Sequence, residues 1–154
     1  MAGKIDSQLQ TLGITLPAAA APAANYVPFV MTGNLLIISG QLPMEAGKLA
    51  VTGRLGGGVS LEQGQQAARL CAINIIAQAK AALSDLDRVT RIVRLGGFVA
   101  CTDDFTDQPQ VINGASNLMV EVFGDAGRHA RAAVGVNVLP LGAAVEVDAI
   151  IEFA

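Results

Sequence analysis

Tryptophan is absent from this 154-residue chain, tyrosine and histidine occur once each, and charged residues make up only 15%. Each shortage removes a class of function. One histidine and two cysteines, Cys71 and Cys101, without a Cys-x-x-Cys spacing, do not furnish a zinc set, so no metal is expected. A 4% aromatic fraction leaves little surface for stacking bases, and a net charge of −3 with scattered lysines and arginines forms no basic stripe. Nucleic acid is therefore not an expected partner. No uninterrupted apolar stretch reaches the length of a bilayer span, and the opening Met-Ala-Gly-Lys-Ile-Asp-Ser lacks the basic-then-apolar order of a signal peptide. The expectation is a soluble, cytoplasmic protein without a membrane partner, in which both cysteines are reduced core residues. Aliphatic side chains are what the chain has in quantity. Apolar residues reach 52%, ample for one core in one domain, while the few charges available to cover a surface point to an oligomer.

Along the chain, Ile5, Leu9 and Leu12 recur at helical spacing before Gly13, predicting a short amphipathic helix over residues 4–13. The Ala- and Pro-rich stretch from Leu16 to Ala24 reads as extended chain on the surface. Tyr26 to Thr32 and Leu35 to Gln41 flank a Gly33-Asn34 turn and read as a β-hairpin, with Pro28 marking an edge or an irregularity. A loop follows from Pro43 to Gly58, with a short strand near Leu49 to Thr52. Its Gly56-Gly57-Gly58 triplet is a flexible connector, because a phosphate loop would need a lysine followed by Ser or Thr after the glycines. Ser60 and Gln63 form a capping-box pattern ahead of a helix reaching Leu83, with Ala68, Ala72, Ile75, Ala79 and Leu83 on one face.

Val89 to Thr102 is β-rich, and Gly96-Gly97 within it predicts a bulge or bend. A second helix follows, with Pro109 near its start, Val111, Ile112, Ala115, Leu118, Met119 and Val122 at helical spacing, and Gly124 at its end. Two strands close the chain. Ala132, Val134, Val136 and Val138 share one face of the first; Val145, Val147, Ala149, Ile151 and Phe153 share one face of the second, with Glu146, Asp148 and Glu152 opposite. The order ββ(β)αβαββ is an α+β layer architecture in which both helices cover one face of a mixed sheet. The uncovered face, part aliphatic and part polar, is a surface that a closed homo-oligomer would bury.

Arg131 is the residue that most invites a functional explanation. It lies in the run His129-Ala-Arg-Ala-Ala-Val-Gly-Val-Asn-Val-Leu-Pro140, where a permanently charged guanidinium enters an apolar strand. Such a group needs an anion, either Glu146 or Asp148 within the chain or a ligand from outside. His129, two residues away, reads as a strand-entry histidine with a satisfied hydrogen bond, or as a group that tunes a pocket. Asn113 and Ser116, three apart on the second helix, are cleft neighbours or surface positions.

Asn34-Leu-Leu-Ile-Ile-Ser-Gly-Gln-Leu-Pro43, Ala130-Arg-Ala-Ala-Val-Gly-Val, Leu139-Pro140 and Val145-Glu-Val-Asp-Ala149 together resemble the signature blocks of the RidA family, also called the YjgF/YER057c/UK114 family. The similarity spans residues 25–154 and sets residues 1–24 apart as an amino-terminal segment. It implies a chorismate-mutase-like fold, a homotrimer with a β-barrel centre, and clefts between subunits. It further implies an enamine/imine deaminase that releases ammonia and a 2-keto acid, with no cofactor. By resemblance, Arg131 holds the substrate carboxylate, Glu146 positions or activates water, the Ala133 backbone carbonyl contacts the water or nascent ammonia, and Tyr26 reaches a neighbouring subunit's cleft. The bacterial archetype often carries Ser-Cys after the arginine, whereas this chain has Ala132-Ala133; a backbone role survives, and a thiol or hydroxyl nucleophile at those positions does not. Gly40 and Gln41 wall the cleft. Two other functions are compatible with the same resemblance. One is a trimeric module that binds small carboxylated metabolites without turnover; the other is a ribonuclease, which the charge and the single histidine disfavour.

Overall fold

The computed structural model describes residues 3–21 and 25–154. Its helices are α1 (Lys4–Thr11), α2 (Leu61–Leu83) and α3 (Gln108–Phe123). The strands are β1 (Phe29–Thr32), β2 (Leu35–Gln41), β3 (Met44–Glu45), β4 (Lys48–Leu49), β5 (Arg54–Leu55), β6 (Gly58–Val59), β7 (Val89–Ala100), β8 (Ala130–Val136) and β9 (Val145–Phe153). Five of them form one mixed sheet in the order β1-β2-β9-β7-β8. All neighbours in it are antiparallel except β7 and β8, whose parallel pairing requires the crossover that α3 supplies. The architecture is α+β, with α2 over β2 and β9 and α3 against β7 and β8.

Alternation along β9 builds the core. Val145, Val147, Ala149 and Ile151 are buried, whereas Glu146, Asp148 and Ile150 between them are half-buried on the opposite face. Beneath the helices the buried strand residues meet Ala68, Ala72, Ile75 and Ala79 of α2 and Ile112, Ala115 and Met119 of α3. The capping box at the start of α2 is present in both directions: Gln63 N donates to Ser60 Oγ at 3.1 Å, and Ser60 N donates to Gln63 Oε1 at 2.9 Å.

α1 is fastened in a way its own sequence does not suggest. Its N-cap is Gly3, which has no side chain to offer, so the carboxylate of Asp87 accepts from Lys4 N and Ile5 N, each at 2.8 Å. Those two bonds, Ile5's first, hold the Asp87 carboxyl below its ordinary range. Ile5 and Leu9 join the main core, and Gly13 at φ 72° ends the element.

Four expectations need correction. Tyr26 does not begin a strand: β1 starts only at Phe29, because Pro28 has no N–H to give the ladder. The short strand expected over 49–52 is instead the hairpin β3/β4, with Thr52 making only a single bridge to Ala143. Val138 lies beyond the end of β8 and is exposed. Gly96-Gly97 makes no bulge, since the register shifts of β7 against β9 fall at Val89/Arg91 and Ile92/Arg94. The two glycines serve close approach instead. A Cβ at Gly97 would lie 2.6 Å from Ile112 Cγ1 of α3, and one at Gly96 would strike the Asp148 carboxylate on the other face. The extended conformation expected as far as Ala24 falls in part outside the described residues; residues 16–21 carry no regular structure. Among the described residues, no helix is long and apolar enough to cross a membrane.

Candidate functional site

β8 is an edge strand, and its residues alternate between the helix side and the open side of the sheet. Arg131 pairs with Leu95, which is buried beneath the helices, so its side chain extends toward α3. There its Nη1 donates to Asn113 Oδ1 at 2.8 Å and to Ser116 Oγ at 3.1 Å. Both acceptors are neutral. Spacing three on α3 turns Asn113 and Ser116 to the same side, and together they occupy both hydrogens of one guanidinium nitrogen. The Nε and Nη2 edge stays available, and that edge matches a carboxylate in two parallel hydrogen bonds.

Ser116 Oγ also lies 2.8 Å from His129 Nε2, and His129 Nδ1 lies 2.7 Å from the Gly127 carbonyl oxygen. Only an Nδ1–H can satisfy that carbonyl, so Nε2 is the lone-pair nitrogen and the Ser116 hydroxyl donates to it. Burial, together with the nearby charge of Arg131, holds the imidazole below its ordinary pKa, although the Gly127 carbonyl opposes this. Around these groups is a cavity of about 280 Å³ lined by Ser116, Asn117, Val120, Arg128, His129 and Arg131.

Neither expected internal partner neutralises Arg131. Asp148 lies on the open face beside Arg94, at 3.8 Å. Glu146 is on that face too, and its Oε1 sits where a side chain at Gly40 would have to go. Its pKa is raised, first by burial and then by the charge of Asp148. The ladder registers set Glu146 level with Phe98 of β7 and Arg131 level with Leu95 of the same strand, three residues along. Two strand spacings and three residues put their Cα atoms about 14 Å apart, on opposite faces of the sheet.

The other two candidates divide in the same way. Ala133 is half-buried against the core on β8, two residues beyond Arg131. Tyr26 is 54% exposed and lines a separate cavity of about 140 Å³ with Ser39, Gly40, Gln41 and Gln78. Gly40 thus adjoins both Tyr26's cavity and Glu146. One chain groups the candidates into two separate clusters, one with Arg131, Asn113, Ser116 and His129, the other with Glu146, Gly40 and Tyr26. The sequence named Asn113, Ser116 and His129 but not the Ser116 hydroxyl's link between Arg131 and His129, and the Arg94–Asp148 pair left no signal of its own.

Comparison with known proteins agrees with this architecture. The chain matches the family described as "YjgF/chorismate mutase-like, putative endoribonuclease" over residues 6–153. It is 54% identical to Protein TCP17 of Trypanosoma cruzi over 151 residues, which covers 97% of this chain and 94% of that protein. The crystal structure of Atu1372 from Agrobacterium tumefaciens, a protein of unknown function, superposes with a TM-score of 0.92 at 56% identity, covering 97% of this chain and 92% of that one. RidA from the Antarctic bacterium Psychrobacter sp. PAMC 21119 is more distant, with a TM-score of 0.61 and 26% identity over 90% of this chain and 96% of that one. Fold, signature blocks and family match coincide, and the chain belongs to the YjgF/RidA family.

Proposed function

We propose that this protein hydrolyses reactive enamines and imines derived from amino acids, such as 2-aminoacrylate and its imine tautomer, to a 2-keto acid and ammonia. One observation carries the reading: Arg131 is a half-buried permanent cation whose hydrogen-bond partners among the described residues are both neutral, with a bidentate edge left over. An arginine held this way is completed by a small carboxylate.

In this reading Arg131 grips the carboxylate and fixes the adjacent imine carbon. Water bonds to that carbon, the C=N electron pair moves to nitrogen, and nitrogen takes up a proton. The C–N bond then breaks, ammonia leaves and the carbonyl forms. Glu146, whose carboxyl burial and then the charge of Asp148 push above its ordinary range, takes the proton from water, and the Ala133 carbonyl orients the water or the departing ammonia. Tyr26 closes the cleft with its phenol.

The separation of Arg131 from Glu146 favours a site completed between copies. The open face carries Val30, Ile37 and Val134 as exposed apolar side chains, an area that a homotrimer would bury while bringing one copy's arginine to another's glutamate. The test is the rate of imine hydrolysis, generated in situ by an amino-acid dehydratase, with this protein or with buffer alone. Faster release of keto acid, lost in Arg131→Ala and in Glu146→Gln, supports the reading. A rate equal to buffer refutes deamination, and saturable keto-acid binding without turnover would make the protein a binding module.

A further inference from the structure

The group that protonates the substrate nitrogen is not supplied by the carboxylate clamp itself, and the clamp's own surroundings contain a candidate. Ser116 Oγ accepts from Arg131 Nη1 at 3.1 Å and is 2.8 Å from His129 Nε2, while His129 Nδ1 is fixed by the Gly127 carbonyl at 2.7 Å. Ser116, His129 and Arg131 all line the same cavity. A hydroxyl bonded on one side to the clamp and on the other to an imidazole connects ligand and histidine through one rotatable O–H. We propose that Ser116 and His129 form a proton relay at the carboxylate site: a carboxylate docked on Arg131 draws a proton onto His129, and Ser116 passes it to the ligand's nitrogen. The relay rests on the carboxylate-clamp reading above and gives it the proton donor it lacks.

Charge placement explains the coupling. The charged groups around His129 are Arg131 two residues on in β8, Arg128 with Asp125 at 3.6 Å on the preceding turn, and Arg91 of β7, whose Nη1 donates to the Arg128 carbonyl. α3 contributes only the neutral Asn113, Ser116 and Asn117, and Arg94 is engaged with Asp148 on the other face. Without ligand, burial first and then the charge of Arg131 hold the imidazole below its ordinary range, against the pull of the Gly127 carbonyl. An anion on Arg131 cancels the nearest of those charges. The ring then holds a proton more readily, and when it does Nε2–H donates to Ser116 and the hydroxyl's own proton is turned toward the cavity.

The protons balance over a turnover. One moves from His129 through Ser116 Oγ to the imine nitrogen as water bonds to carbon, and the water's proton goes to the glutamate of the cleft. In the second half that glutamate protonates the amine, ammonia leaves, and the hydroxyl proton released as the carbonyl forms returns through Ser116 to His129.

His129 is the chain's only histidine, so its ring signals need no assignment. The full-length protein, labelled in histidine, is titrated by NMR with and without saturating pyruvate, a carboxylate that cannot turn over. The relay predicts a neutral Nδ1–H tautomer without ligand and an upward move of the titration midpoint with pyruvate. In His129→Gln, pyruvate binding persists, kcat falls, and the pH–rate profile loses the limb that tracks that midpoint. A midpoint that stays in place while pyruvate binds overturns the relay and leaves the clamp standing, as does an unchanged pH–rate profile in His129→Gln. Failure of pyruvate to bind at all overturns the clamp, and the relay with it.

Discussion

Replacing Gly40 with alanine isolates what Glu146 contributes. A Cβ at Gly40 would lie 2.5 Å from Glu146 Oε1, 2.9 Å from its Cδ and 3.2 Å from its Cγ. Restoring ordinary contact distances moves the carboxylate by about 1 Å, which the flexible end of a half-buried side chain can do without unfolding anything. A displacement of about 1 Å at a reacting group costs on the order of 10²-fold in rate. Stability should hardly change, because Gly→Ala in a strand gains roughly 0.5–1 kcal/mol from the unfolded chain, against a comparable cost for moving the carboxylate. Arg131 lies on the other face of the sheet, so carboxylate affinity is spared. Gly40→Ala should therefore show kcat for imine hydrolysis reduced about 10²-fold, with Kd for pyruvate and Tm near wild type. A wild-type kcat would refute a role for Glu146 at its present position. Equal loss of pyruvate binding would refute the division into two separate clusters.

Three further outcomes follow from other parts of the molecule. Asp87→Ala should release α1, seen as fast amide exchange at Lys4 and Ile5 with the rest of the core protected; because the folded-state carboxyl titrates below its usual 3.8, the anchor is fully present above that pH and is lost as pH falls through the depressed value. Gly114→Ala drives a methyl of α3 into the Gln65 backbone carbonyl of α2, and should lower urea stability by about 1–3 kcal/mol. Ser60→Ala removes one half of the α2 capping box and should cost about 1 kcal/mol in the same assay.

Much of the fold was legible because its signals are local. The capping residues Ser60 and Gln63 mark the start of α2, and the strict alternation of β9 separates Val145 and Val147 from Glu146 and Asp148. The same alternation placed Arg131 and Ala133 on the face of β8 opposite Ala132 and Val134. It could not say which face the helices cover, and so left Glu146 and Asp148 open as partners for Arg131. That choice depends on the register of β8 against β7, a contact between segments over thirty residues apart. Distance in sequence hides the rest as well. Asp87 caps a helix 82 residues away, and the Gly96-Gly97 pair, a bulge signal by local rules, answers to Asp148 and Ile112 in other elements. The family blocks pointed to Arg131 and Glu146 together, whereas the fold of one chain sets them on opposite faces.

The central claim is that Arg131 is a carboxylate anchor, and calorimetric titration of pyruvate into wild-type protein and Arg131→Met tests it most directly. Two charge-assisted hydrogen bonds at about 1.5 kcal/mol or more each predict saturable wild-type binding that weakens on the order of 10²-fold in the variant, with Tm little changed. Equal affinity in the two proteins, or no binding to the wild type, would contradict it.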